Sequence, residues 1–228
     1  MKKYLALFIL FVSLSTVSGA QAKNPTVKDI NEIGFNILES NKIQKRMVFK
    51  NTSEIKNPRL ILDYKPESIG LDYTGRIIWV YGDVLSSTDN NDELAGLLSY
   101  GIAMAENSYK GLFRGFFSHA SYLAGSKRKE TDADIKAVDY MVKAGYNPLA
   151  LITIYSKTLA QTRYEWCHLQ PLATKRMINI YEHIANNYPQ YLANNAYANN
   201  IYYKNFLHNT TKEMKKLEKK MSKKNRAI

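Results

Sequence analysis

One change of hydrophobic period, near Asn90, limits what this chain can fold into. Before it lie three short runs of strand character: Arg46 to Lys50, Arg59 to Tyr64 and Arg76 to Tyr81. Asn57-Pro58, Lys65-Pro66 and Thr74-Gly75 separate them with turn chemistry. After it the spacing is helical: Leu94, Leu97, Leu98, Gly101, Met104 and Ala105 share one face. Asn90 and Glu93, three residues apart, make a capping-box-like start for that helix. A first helix is expected from Thr26 to Ser40, with Val27, Ile30, Ile33, Ile37 and Leu38 along its stripe. Further helices are expected from Glu130 to Ala144, stopped by Gly145 with Pro148 beyond, from Leu149 to Leu159 and from Lys175 to Asn186. The pattern has no internal repeat and reads as one α+β domain, a small sheet packed on a mainly helical body.

The chain has 228 residues, enough for a single core. Residues 1–22 read as a secretory signal: Lys2 and Lys3, an apolar run from Leu5 to Val12, and Ala20-Gln21-Ala22 as the cleavage site. The expected location is therefore periplasmic or secreted. A single cysteine, Cys167, cannot close an internal disulfide, so the core alone must hold the fold. Eight Lys/Arg against two Glu lie between Lys212 and Ile228, which places most of the positive charge in a tail at 209–228, beyond a domain at 23–208. Charge concentrated there argues against a nucleic-acid-binding core. It leaves open an anionic membrane surface, held by the tail and by Phe113, Phe116 and Phe117.

The helix from Asn90 to Met104 has the outline of a zinc-protease helix. Zinc hydrolysis on a helix needs two imidazoles four positions apart, with a Glu beside the first as general base. Gly75 to Leu85, Asp89 to Met104, Glu130-x-x-Ala133-Asp134, Lys143 to Pro148, and Gln170-Pro171 followed by Arg176 occur in one order. Together they resemble the HtpX-like and CAAX-prenyl-protease family of metallopeptidases, over roughly Thr26 to Ile184. The resemblance implies a zincin-like scaffold. It implies Glu130 as the third zinc ligand, Asp134 as a supporting acid and Arg176 as the family's arginine. It also makes Arg76, Ile77, Ile78, Trp79, Val80 and Tyr81 the edge strand bordering the substrate cleft, where an extended polypeptide would add by β-augmentation.

The chemistry departs from that pattern. Tyr100, Gly101 and Met104 stand where His, Glu and His would be, and Gln170 replaces a later His. A phenol of ordinary pKa about 10 is a poor ligand at neutral pH. A thioether suits copper(I) better than zinc, and glycine can neither ligate nor move a proton. His119 and His168 have no ligand spacing with another histidine, and the adjacent Cys167 and His168 make a poor nucleophilic pair. Without metal, Tyr100 and Met104 are expected to fill the old site and Glu130 to take Arg176 as its partner. The functional expectation is a catalytically inactive, metallopeptidase-like protein of the bacterial envelope that binds polypeptide and holds no cofactor. The alternatives are an active zinc endopeptidase with non-standard ligands, and an envelope-surface binder acting through its basic tail.

Overall fold

A computed structural model describes residues 27–53, 63–69, 72–108, 118–159 and 173–225. The chain begins with helix α1 (Val27–Ser40), followed by strands β1 (Met47–Thr52), β2 (Asp63–Ile69) and β3 (Asp72–Tyr81). Helices complete it: α2 (Gly82–Ser86), α3 (Asn91–Ser108), α4 (Ser118–Lys143), α5 (Leu149–Thr158), α6 (Ala173–Asn187), α7 (Gln190–Ala193), α8 (Ile201–Asn209) and α9 (Thr211–Asn225). The architecture is α+β, a small sheet on a helical body. Among the described residues no helix is long and apolar enough to cross a membrane.

The strand order is β1-β3-β2, with β1 parallel and β2 antiparallel to β3. This corrects the expectation that Arg76, Ile77, Ile78, Trp79, Val80 and Tyr81 form an edge strand. Arg76 to Tyr81 pair with Met47 to Thr52 on one side, and Arg76 to Trp79 pair with Asp63 to Pro66 on the other. From Arg76 to Trp79 the backbone is paired on both sides, and Ile78 and Val80 are fully buried. The second strand also lies further on than expected. Pro66, read as a turn, sits within β2, where the edge position tolerates the missing N–H; residues 59–62 lie outside those described.

Helix α3 occupies the centre, with every residue from Glu93 to Ala105 buried. Its start is built as the spacing suggests: the Glu93 N–H donates to Asn90 Oδ1 at 3.0 Å and the Asp89 N–H donates to Glu93 Oε2 at 2.8 Å. Lys157, from α5, closes this corner by donating to Glu93 at 2.8 Å and to Asp89 at 2.5 Å. In α5 the seven residues from Leu149 to Tyr155 are buried without exception, as befits an interior segment. Ile30, Ile33 and Ile37 of α1 and Met177, Ile180 and Ile184 of α6 complete the core.

Helix α4 ends at the expected glycine. Gly145 has φ of +83°, its N–H donates to Val142 O at 3.1 Å, and the Tyr146 N–H donates to Met141 O at 2.9 Å. That pair of bonds is a Schellman closure. The helix begins at Ser118, however, so Glu130 lies well inside it rather than opening it. Gly125 lies within this run, where glycine costs about 1 kcal/mol relative to alanine and local preference alone disfavours the helix. The basic tail is not frayed where it is described: residues 211–225 form α9, which rests on α6 and α8 through buried Met214 and Leu217.

Candidate functional site

Glu130 and Asp134 are one helical turn apart on α4, so both carboxylates leave the same face. That face points inward, leaving Glu130 1% and Asp134 0% exposed. Two buried acids require cations or donors, because an uncompensated interior carboxylate costs several kcal/mol. Arg176 of α6, itself 2% exposed, supplies the cation. Its Nε donates to Asp134 Oδ2 at 2.7 Å and its Nη2 to Asp134 Oδ1 at 2.6 Å, a bidentate fork. The same Nη2 lies 3.2 Å from Glu130 Oε2.

Two phenols finish the arrangement. Tyr100, from α3, donates its hydroxyl to Glu130 Oε2. Tyr155, from α5, donates to Asp134 Oδ1 at 2.7 Å and accepts from Arg176 Nη2 at 3.1 Å. The guanidinium lies against both rings, 4.9 Å from the centroid of Tyr100 and 4.7 Å from that of Tyr155. The rings meet edge-to-face at 6.2 Å. Four helices thus contribute one cation, two acids and two phenols to a single buried cluster.

The electrostatics fix the protonation of its phenols and its guanidinium. Burial, then the neighbouring Glu130, pushes the Tyr100 hydroxyl well above its ordinary value. Burial, then Asp134, does the same for Tyr155. For Arg176 burial opposes the charge, but the carboxylates, Asp134 foremost and then Glu130, outweigh it and hold the group protonated. The phenols are donors throughout the neutral range, and neither can serve as base or nucleophile.

Zinc does not fit these residues. Its sites need three protein ligands and an open position. Here Glu130 already accepts a phenol hydroxyl and faces a guanidinium at 3.2 Å. Gly101 offers no donor atom, and Met104, 3% exposed, offers only a thioether. Among the described residues no three His, Cys, Asp or Glu side chains gather as a ligand set.

Of the residues singled out in the sequence, Tyr100, Glu130, Asp134 and Arg176 meet in the cluster, and Arg176 is the partner expected for Glu130. Met104 and Gly101 lie buried on α3. His119 falls in the first turn of α4, with its side chain outside the described set; Gln170, Cys167, His168, Phe113, Phe116 and Phe117 lie outside the described residues altogether. Tyr155 was missed. Its signal was a phenol ending the apolar run Leu149 to Ile154, where the hydroxyl must find a partner. No protein-family model, curated protein or solved structure matches the chain with significance.

Proposed function

We propose that this chain is a catalytically silent protein on an HtpX-like, zincin-like metallopeptidase scaffold, working in the bacterial envelope by binding polypeptide rather than cleaving it. The observation that supports this reading is the closed cluster of Tyr100, Glu130, Asp134, Tyr155 and Arg176. At the position where the resemblance puts a metal and its activated water, the chain has a phenol, a guanidinium and a satisfied carboxylate. Because β3 is flanked on both sides, an added strand would pair with an outer strand of the sheet. The outer side of β1, where Lys50 and Asn51 are exposed, is the edge we assign to it.

The test is metal analysis with activity on the purified full chain. The expected protein carries far less than one zinc per chain, melts at the same temperature with added zinc or chelator, and does not hydrolyse an unfolded polypeptide. That polypeptide instead slows hydrogen exchange in Met47 to Thr52. Stoichiometric zinc with chelator-sensitive hydrolysis would establish the active endopeptidase instead.

A further inference from the structure

The charge of this protein is segregated. Residues 173–225 carry ten Lys/Arg against three Glu, whereas residues 27–172 carry eighteen Lys/Arg against seventeen Asp/Glu. Most of the surplus sits on α9, which has seven lysines and two glutamates in its fifteen residues. The docking of that helix orders the lysines. Met214 and Leu217 are buried, which fixes the face turned to the body. At about 100° per residue, Lys212, Lys215, Lys216 and Lys219 centre on the opposite face, and all four are exposed. Glu213 and Glu218 fall on the two flanks, nearer the docked side, so the outward stripe has lysines alone. Lys220, on the same flank as Glu213, pairs with Glu182 of α6 at 2.5 Å.

We infer that α9 is a docking face for an anionic phospholipid bilayer, bound by charge and lying flat rather than inserted. Among its described side chains the apolar ones, Met214 and Leu217, are already used against the protein, which leaves the lysine stripe to face the headgroups. The stripe from Lys212 to Lys219 is straight and about 10 Å long, a line of point charges that can meet a plane of headgroup phosphates at once. Nucleic acid is the poorer fit. Residues 211–225 contain no arginine to fork onto phosphate or guanine and no aromatic ring to stack on a base. The near-neutral remainder of the molecule leaves a strong charge asymmetry, which orients this face toward a negative surface.

The test is co-sedimentation of the full chain with phosphatidylcholine vesicles, with and without phosphatidylglycerol, across a salt series. Binding is expected with phosphatidylglycerol, is absent on phosphatidylcholine alone, and is released by salt as the charges are screened. Each lysine contributes about fivefold in partition, so Lys212→Gln/Lys216→Gln/Lys219→Gln binds roughly a hundredfold more weakly. Arg128→Gln/Lys143→Gln, on α4, leaves binding unchanged. The proposal is overturned if the triple variant binds as the parent does, if phosphatidylcholine alone suffices, or if duplex DNA binds more tightly than the vesicles at equal salt. Should the triple variant lose its helical circular dichroism, the salt series on the parent decides alone: salt-insensitive binding overturns the proposal.

Discussion

Arg176 serves two acids and two rings at once, so its removal has consequences beyond a lost contact. Arg176→Ala strands Glu130 and Asp134 in the interior and is expected to cost about 3–5 kcal/mol. Thermal unfolding would show this as a fall of roughly 10 °C or more. Tyr155→Phe leaves Asp134 its bidentate arginine and is expected to cost about 1–2 kcal/mol. A loss as large as that of the arginine would mean the phenol, not the guanidinium, carries the acid. Alkaline pH provides a second reading. Tyr100 and Tyr155 resist ionisation in the fold, whereas in the unfolded chain they ionise near pH 10. Their contribution is fully present below that pH and is lost as pH rises above it, by about 1.4 kcal/mol per pH unit for each tyrosine. Denaturant titrations between pH 9 and 11 should therefore show a shallower alkaline loss in Tyr100→Phe/Tyr155→Phe than in the parent. At this scale the sequence was informative: the resemblance drawn from its motifs singled out Tyr100, Glu130, Asp134 and Arg176, four of the five cluster members. Tyr155 escaped because only the packing of α5 on α3 and α6 brings its hydroxyl to Asp134.

Elements of this fold are pinned at their ends and at close approaches. Asn200 caps α8, accepting from the Tyr202 and Tyr203 N–H groups at 2.9 and 3.3 Å. Asn200→Ala is expected to cost about 1 kcal/mol in chemical unfolding, with Asn200→Ser near neutral. Gly34 brings α1 onto β1: a Cβ there would meet the Phe49 ring at 2.5 Å. Gly34→Ala should cost about 1–3 kcal/mol through overpacking. Phe49→Leu introduced with it should recover part of that loss, and a strictly additive double mutant would show that the contact is not the cause. The ends of α3 and α4 were legible because Asn90 with Glu93, and Gly145, act through local hydrogen bonds. Strand β2 and the first turns of α4 were not. Pro66 and Gly125 carry local penalties that strand pairing and helix continuity override, and single-residue preference is silent about that competition.

The whole molecule is arranged around α3, which α1, α4 and α5 enclose. Native-state hydrogen exchange should therefore find its slowest amides between Leu94 and Ala105 and much faster ones in α9, which among its described side chains is tied to the body by Met214, Leu217 and the exposed Lys220–Glu182 pair. Equal protection of the two would show that α9 unfolds only with the body. Fold class could be read from the period change near Asn90, but strand order could not, since hydrophobic alternation does not say which strand lies between which. That order has a consequence for solubility. Ile77 to Tyr81 is five residues long, uncharged, rich in β-branched and aromatic side chains and free of proline, the composition of a segment that templates fibrils. As the middle strand it is paired with β1 throughout and with β2 from Ile77 to Trp79, so the fold closes the first three residues of this aggregation-prone run between two neighbours.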